Sequence, residues 1–219
     1  MVKRKINREI GSKHFHVTIF GSSRIKRNDP VYKQVYLLAR LIGNRNIDVI
    51  TGGGPGIMEA ANKGHRKGVK KKNHDAHSIG LGITLPHEQG FNKSVELYQK
   101  FEKFSRRLDK FMLMSNVIVI APGGIGTLLE LFYTWQLMQV KHTCNIPVIL
   151  LGKQWEGLIK WMEKYPLKKK YFDRADLNLV FLAENCNEAI KIIDKAHEEY
   201  KKGGKDFCLN YKKYRLKWK

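Results

Sequence analysis

The chain has 219 residues and a formal net charge of +21, from 41 Lys and Arg against 20 Asp and Glu. This length, with 42% hydrophobic residues, suits one α/β domain with a large core. No apolar run reaches the roughly 18 residues that a membrane span needs, and no apolar stretch follows the charged N-terminus as in a signal peptide. We therefore expect a cytoplasmic protein without membrane contact.

Short apolar runs alternate with helical patterns along the chain. The predicted strands are HVTIFG, IDVITGGG, SIGLGITLP, NVIVIA, IPVILLG and LNLVFLA, with a further short strand around residues 97–104. Helices are predicted over residues 30–43, 106–114, 155–164 and 187–201, and from Gly126 onward. Another helix starts with residues 56–64, and its end falls in the stretch HRKGVKKKNHDAHS. The loop before SIGLG is expected to be polar and exposed.

This alternation predicts a single Rossmann-like, doubly wound α/β domain over residues 16–202. Its sheet should be mostly parallel with helices on both faces, because the strands are apolar almost throughout. Residues 1–15 are expected to form a flexible basic N-terminus and residues 203–219 a basic C-terminal tail.

The positive charge attracts anions, and it raises nucleic acid as a specific alternative. The lysines are spread along the chain, with local runs at VKKKN, LKKKY and YKKYRLKWK. The sequence lacks both the aromatic and basic pattern of an RNA-binding sheet and a zinc finger. We interpret the charge as solvated lysine faces and do not expect nucleic acid as a partner.

Runs of small residues join a predicted strand to a helix at FGSSR, TGGGPGIMEAANKG and APGGIGTLLE. In an open α/β sheet, ligands bind beyond the carboxyl ends of the strands. Glycines let the backbone approach a ligand, and a helix N-terminus favours an anion, above all a phosphate. Tight turns alone would not account for several such loops in one sheet, so we predict a phosphate-bearing ligand.

The loops do not match the common nucleotide-binding motifs. Gly54-Pro55-Gly56 begins like GxGxxG, but Glu59 holds the third glycine position, and no acidic residue ends the next strand. The sequence has no GK[ST] and hence no Walker loop. His74 and His77 lie in a lysine-rich loop without a sulfur or carboxylate cluster. We therefore expect neither a cofactor nor a metal ion.

The segment PGGIGTLLE places a carboxylate close to a helix N-terminus. Glu130 follows Gly126 by four residues, a rise of ~6 Å at ~1.5 Å per residue. This is roughly the span from a 5′-phosphate to the anomeric carbon of its ribose. Glu130 could instead be a structural acid that complements the helix dipole or pairs in the core. The adjoining glycine loop favours a site carboxylate.

The helix that contains Glu130 is otherwise almost wholly apolar as far as Val140. Among its polar residues, Thr127, Glu130 and Thr134 are spaced to share one face. A helix that is apolar all round is buried, often by a second subunit. We therefore predict that a symmetry mate covers it in a homodimer or a larger homo-oligomer.

Together these motifs resemble the Lonely Guy family, the cytokinin-activating phosphoribohydrolases and their bacterial relatives. The resemblance is carried by FGSSR, TGGGPGIMEAANKG, SIGLGITLPHEQG, Arg106-Arg107 and PGGIGTLLE, and it extends from about Val17 to Leu151. The family pattern PGGxGTxxE is met in full. Leu108, Leu129 and Gln136 depart from the residues usual in the family.

The resemblance implies hydrolysis of the N-glycosidic bond of a purine nucleoside 5′-monophosphate, either AMP or a cytokinin-type N6-modified AMP. The products would be the free base and ribose 5-phosphate. The family's catalytic residues would fall on Arg107 and Glu130, and Glu88 matches a substrate-binding acid. The alternative is a non-catalytic nucleotide-binding or sensor protein with the same fold.

Each part of this site has a role that its chemistry suits. Main-chain N–H groups of the glycine loop, with the Thr127 hydroxyl, would hold the 5′-phosphate. Glu130 would stabilise the oxocarbenium-like sugar and orient or deprotonate water, while Arg107 would pair with it or with the substrate. Met58 would form part of the base or ribose wall. The predicted substrate-binding residues are Ser22, Gly53, Gly54, Met58, Glu88, Gly123, Gly124, Gly126 and Thr127.

Overall fold

The computed structural model describes residues 4–5, 14–69, 75–84 and 90–203. Its strands are β1 (Arg4–Lys5), β2 (His16–Phe20), β3 (Asp48–Thr51), β4 (Ser78–Ile83), β5 (Leu97–Phe101), β6 (Val117–Ile120), β7 (Val148–Leu151) and β8 (Val180–Ala183). They form one sheet in the order β1-β5-β4-β3-β2-β6-β7-β8. All neighbouring strands are parallel, so the predicted Rossmann-like fold is confirmed.

Helices connect most of the strands. They are α1 (Pro30–Asn44), α2 (Ile57–Gly68), α3 (Phe104–Met114), α4 (Ile125–Gln139), α5 (Trp155–Met162), α6 (Arg174–Leu177) and α7 (Cys186–Lys201), with a π-helical turn at Glu163–Leu167. At the start of α1, the Asp29 carboxylate accepts the main-chain N–H of Val31 at 2.7 Å, and Pro30 follows the cap. Both residues are suited to a helix N-terminus, so the sequence marks this boundary well.

Two apolar layers cover the sheet, one on each face. Ile19 and Val49 belong to the layer that includes residues of α1, α2 and α7. Their neighbours Phe20 and Ile50 belong to the opposite layer, with residues of α3 and α4. Successive residues of a strand point to opposite faces, so apolar runs without alternation are required here. The predicted placement of helices on both faces is confirmed.

The strand order reverses between β2 and β6, which are neighbours in the middle of the sheet. The chain leaves β2 toward α1 on one face and leaves β6 toward α4 on the other. This divergence opens a crevice at the carboxyl ends of both strands, the place where ligands bind in open α/β sheets.

Some parts of the chain differ from the sequence-based expectation or lie outside the description. Helix α2 ends at Gly68, within the stretch HRKGVKKKNHDAHS where a helix end is expected, and the short strand β1 was not predicted. Glu88, His74 and residues 204–219 lie outside the described residues, and the flexible ends stay a prediction. Within the described ranges, none of the helices combines the length and apolarity needed to cross a bilayer.

Candidate active site

A cleft of about 480 Å³ opens at the crevice between β2 and β6. It is formed by the loops that follow β2, β3 and β6, together with side chains from α2, α3 and α4. The lining residues are Phe20, Gly21, Ser22, Ser23, Arg24, Gly52, Met58, Arg107, Gly124, Ile125, Gly126, Thr127 and Glu130.

The main chain of Ser22 ties the three strand-end loops together. Its N–H donates to the carbonyl of Pro122 at 2.9 Å, and its carbonyl accepts the N–H of Ile57 at 2.9 Å. The backbone of Gly56, with φ +64°, passes so close to Ser22 and Ser23 that a side chain would collide with their main chain. These contacts occupy the start of α2 and hold the loops around one cleft.

The N-terminus of α4, in contrast, is open to the cleft. Gly124 precedes the helix and provides no side-chain cap. The first N–H groups of a helix have no intrahelical acceptor, and together with the helix dipole they attract an anion. A Cβ atom at Gly124 or Gly126 would meet no other residue within 4 Å, so there is space for a ligand against the backbone. The Thr127 hydroxyl lies beside this space.

Glu130 and Arg107 meet across the cleft, from α4 and α3. Arg107 Nη1 lies 3.8 Å from Glu130 Oε1, and the two side chains are 11% and 12% exposed. Arg107 Nε also donates to the carbonyl of Leu81 at 2.7 Å, and its guanidinium lies 5.1 Å from the ring centroid of Phe111. A side chain at Gly52 would collide with this guanidinium. The arginine is therefore fixed from several sides, and its charge faces the carboxylate.

Burial alters the acidity of both members of this pair. It raises the pKa of Glu130 from 4.5 to about 7, although the Arg107 charge lowers it. Burial likewise lowers the pKa of Arg107, and the Glu130 charge raises it. At 3.8 Å the pair gains charge attraction without a short hydrogen bond. Glu130 can therefore accept or release a proton near neutral pH, which is what a catalytic acid or base requires.

The predicted site residues divide into three groups. Those that line the cleft together are Ser22, Met58, Arg107, Gly124, Gly126, Thr127 and Glu130. Gly53, Gly54 and Gly123 lie next to lining residues but do not line the cleft. Glu88 lies outside the described residues. The contact of each of these residues with a substrate stays a prediction.

Hydrogen bonds account for the position of Gly53 and Gly54. The N–H of Gly53 donates to Thr51 Oγ1 at 2.9 Å, so it is already used within the protein. The Asn92 amide donates to the carbonyls of Gly53 and Gly54 at 3.1 and 3.0 Å. It also donates to Asn62 Oδ1 at 2.9 Å. These hydrogen bonds fix Gly53 and Gly54 in place next to the lining residues Gly52 and Met58.

Six further lining residues were not among the predicted site residues: Phe20, Gly21, Ser23, Arg24, Gly52 and Ile125. Arg24 ends the motif FGSSR, and its N–H bonds to Ser22 Oγ at 3.1 Å, which directs the chain along the cleft. The sequence pattern alone does not distinguish Gly52 from the two glycines that follow it. Among the described residues, no group of three His, Cys, Asp or Glu side chains could hold a metal ion.

This sheet order, with its cleft at the reversal point and glycine-rich strand ends, defines a Rossmann-like α/β protein. The sequence profile of the family described as "Possible lysine decarboxylase" matches residues 58–193. The chain belongs to this family, the Lonely Guy family that its motifs resemble.

Individual relatives agree with this family membership. The chain is 31% identical over 145 residues to the pyrimidine/purine nucleotide 5′-monophosphate nucleosidase of Escherichia coli K12. The match covers 62% of this chain and 30% of the length of that curated relative.

Among solved structures, the fold is similar to that of the molybdenum cofactor carrier protein of Chlamydomonas reinhardtii, with a TM-score of 0.63 and 22% identity. The alignment covers 85% of this chain and 99% of that one. The molybdenum cofactor binding protein of Rippkaea orientalis is similar with a TM-score of 0.63 and 21% identity, covering 84% of this chain and 98% of its own. At these identities the likeness concerns the fold alone.

Proposed function

We propose that this protein hydrolyses the N-glycosidic bond of a nucleoside 5′-monophosphate, releasing the free base and ribose 5-phosphate. The observation that carries the proposal is the Glu130 carboxylate, which is buried against Arg107 one turn beyond the open N-terminus of α4. The E. coli relative, named as a 5′-monophosphate nucleosidase, supports this reaction class.

The cleft offers a position for each part of such a substrate. The phosphate binds the N–H groups at the start of α4, with Arg24 as a second positive group at the rim. The ribose then lies along α4, and its anomeric carbon comes near Glu130. As the bond to the base breaks, positive charge develops on the sugar, and the ionised carboxylate stabilises it.

Water completes the reaction at the anomeric carbon. Its oxygen forms the new bond to carbon, and its proton passes to Glu130, whose pKa of about 7 suits a proton acceptor. The electron pair of the broken bond leaves with the base, which takes up a proton. Arg107 keeps the Glu130 carboxylate in place and favours its ionised form.

For the base, we propose a purine, in AMP or an N6-modified AMP. Met58 and Phe20 give the cleft an apolar side that suits a flat base, and the family resemblance favours adenine nucleotides. The name of the E. coli relative includes both pyrimidine and purine nucleotides, so base preference must be measured directly.

A base-release assay tests this proposal. The purified protein is incubated with AMP, GMP, CMP and isopentenyl-AMP, and free base is separated by chromatography, with adenosine as the control that lacks a phosphate. Each charge-assisted hydrogen bond to the phosphate contributes about 1.5–3 kcal/mol. We therefore expect adenosine to be cleaved far more slowly than AMP. Equal turnover of the two would remove the phosphate assignment.

The second candidate is a nucleotide-binding or sensor protein without turnover. The observation in its favour is the fold, which the chain shares with proteins named for carrying or binding a cofactor. A fold alone does not decide between catalysis and binding. Binding of AMP in calorimetry without release of adenine would favour this candidate.

We further propose that the protein is a homodimer assembled through the outer face of α4. Leu129, Phe132 and Val140 are 46%, 40% and 57% exposed, while Leu131 and Trp135 on the other side of the helix belong to the core. An exposed apolar stripe of this kind marks an interaction surface. Light scattering at micromolar concentration should give twice the mass of the chain, and a monomer with full activity would contradict the proposal.

A further inference from the structure

A second link joins the two helices that hold the candidate catalytic pair. The Tyr133 hydroxyl, on α4, donates to Asp109 Oδ1, on α3, at 2.5 Å. Tyr133 stands three residues after Glu130, so the two side chains share a face of α4. Asp109 stands two residues after Arg107. The hydrogen bond therefore joins the same two helices as the Arg107–Glu130 contact, within one turn of it on each helix.

The other polar contacts between these helices are weaker. Arg107 and Glu130 are 3.8 Å apart, beyond hydrogen-bonding distance. The Thr134 hydroxyl lies 3.3 Å from Met112 Sδ, and thioether sulfur is a weak acceptor. A hydrogen bond to an ionised carboxylate is about twice as strong as a neutral one. The Tyr133–Asp109 bond is thus the strongest directional contact available to fix how α3 and α4 lie against each other.

We propose that Tyr133 and Asp109 are a positioning pair. Their hydrogen bond holds α3 and α4 in the arrangement that shields the Glu130 carboxylate from water and keeps it opposite Arg107. The proposal rests on the nucleosidase function proposed above. Neither residue lines the cleft, so the pair acts through Arg107 and Glu130. Because Arg107 is also bonded to the Leu81 carbonyl, loss of the link frees α4 rather than the arginine.

The consequence concerns water at Glu130. The charged residues that line the cleft with Glu130 are Arg107 from α3 and Arg24 from the loop after β2. Burial is the largest influence on the pKa of Glu130, ahead of Arg107. When α4 moves away from α3, water enters beside the carboxylate and relieves this burial. The pKa of Glu130 then falls from about 7 toward its ordinary value.

The test compares Tyr133→Phe, Asp109→Ala and Asp109→Asn with the unchanged chain. Tyr133→Phe and Asp109→Ala remove the bond, whereas Asp109→Asn keeps an acceptor for the hydroxyl. Tyr171→Phe is the matched control, since Tyr171 is 78% exposed and lies outside the cleft. We expect the first two variants to lose about tenfold in kcat for AMP, in line with a small misplacement of a catalytic group. Asp109→Asn and Tyr171→Phe should stay near the unchanged chain.

The pH profile separates positioning from simple structural support. The midpoint of the acid limb of kcat/KM should move to lower pH, by about half a unit or more, in Tyr133→Phe and Asp109→Ala. A variant that only weakens the fold would lower the melting temperature and leave this midpoint in place. An unchanged midpoint, or a move to higher pH, would overturn the proposal.

A readout without turnover keeps this result separate from the proposed function. Glu130→Gln is added to the unchanged chain and to Tyr133→Phe, and the free energy of unfolding is measured from pH 5 to pH 8 in each. The pH dependence of the difference within each pair reports the pKa of Glu130. We expect this pKa to be lower in the Tyr133→Phe pair, even if AMP is bound and never cleaved. Equal pKa values in the two pairs would overturn the proposal.

Discussion

Two buried carboxylates lie at opposite ends of the sheet and are held in opposite ways. Asp48 is the first residue of β3, at the amino ends of the strands, and is 0% exposed. Its Oδ1 accepts the N–H of His77 at 2.7 Å. Its Oδ2 lies 3.3 Å from His16 Nε2 and 3.5 Å from His14 Nδ1. Burial alone would raise the pKa of Asp48, but these partners outweigh it and hold the pKa well below 3.8.

For Glu130, in contrast, burial raises the pKa, and a single arginine at 3.8 Å lowers it. Burial prevails, and the pKa rises to about 7. A carboxylate with several compensating partners stabilises a fold, whereas one whose burial is offset by a single charge is held at a higher free energy that a reaction can use. This contrast supports a structural role for Asp48 at the amino end of the sheet and the proposed catalytic role of Glu130 at the carboxyl end.

The largest expected effect is on turnover in Glu130→Gln, which keeps the shape of the side chain and removes its charge. Loss of one electrostatic stabiliser of a transition state lowers kcat by about 10²–10³. The affinity for AMP should change far less, because the phosphate contacts at the start of α4 remain. Steady-state kinetics and calorimetry measure the two quantities. If kcat stays near that of the unchanged chain while only the melting temperature moves, Glu130 is structural, and the proposed contrast between Glu130 and Asp48 is wrong.

Asp48→Asn should give the reverse result. Removing one member of a buried ion pair costs about 3–5 kcal/mol of folding free energy, because the remaining partner is left without its counter-charge. Urea denaturation at pH 6 measures this loss. His16 and Phe20 are the first and last residues of β2. At about 3.3 Å per residue, roughly 13 Å of strand separates His16 from the cleft. The kcat at a temperature where the variant is folded should therefore be unchanged. A large fall in kcat would mean that the two ends of the sheet are coupled.

The sequence predicts the fold from features that act locally. Apolar strands buried on both faces and the Asp29-Pro30 helix start need no knowledge of distant residues. The exact end of α2 within the stretch HRKGVKKKNHDAHS was not predicted, because glycine has two uses. Gly64 lies inside the helix and Gly68 is its last residue, and both let it approach α1, since a side chain at either position would collide with the α1 backbone. Which use applies depends on the packing partner, and local pattern does not reveal it.

The same distinction applies to the two carboxylates. Glu130 stands in a motif whose members are close in sequence, so its place beside the glycine loop was predictable. Its partner Arg107 was assigned only through family resemblance. Asp48 could not be recognised at all, because its histidine partners come from segments up to 34 residues away and nothing in the intervening sequence joins them. Burial, which sets the pKa of both groups, exists only in the folded chain.

The smallest effect, and the most direct comparison of the two carboxylates, is the pH dependence of stability. Between pH 4.5 and about 7 the folded chain keeps a proton on Glu130 that the unfolded chain has released. Stability due to this group is therefore fully present below pH 4.5 and is lost as the pH rises toward 7. The Gln variant lacks this titration. The free energy of unfolding of the unchanged chain, minus that of Glu130→Gln, should fall by about 2 kcal/mol from pH 5 to pH 7.

Asp48 has the opposite slope, because its pKa is depressed in the folded state. Its contribution is present above its ordinary pKa of 3.8 and is lost as the pH falls further. The pKa of His14 is raised above 6.5, chiefly by its hydrogen bond to Asp48. The contribution of His14 to the free energy of unfolding is therefore present below pH 6.5 and declines as the pH rises through this raised pKa. The difference between the unchanged chain and Asp48→Asn should therefore be largest between about pH 4.5 and 6.5. Denaturation series of both variants across pH 3.5 to 8 measure the two slopes together. A decline of the Asp48 difference between pH 4.5 and 6 that matched the decline of the Glu130 difference would show that the two carboxylates are held alike, and the proposed catalytic role of one end of the sheet would lose its physical basis.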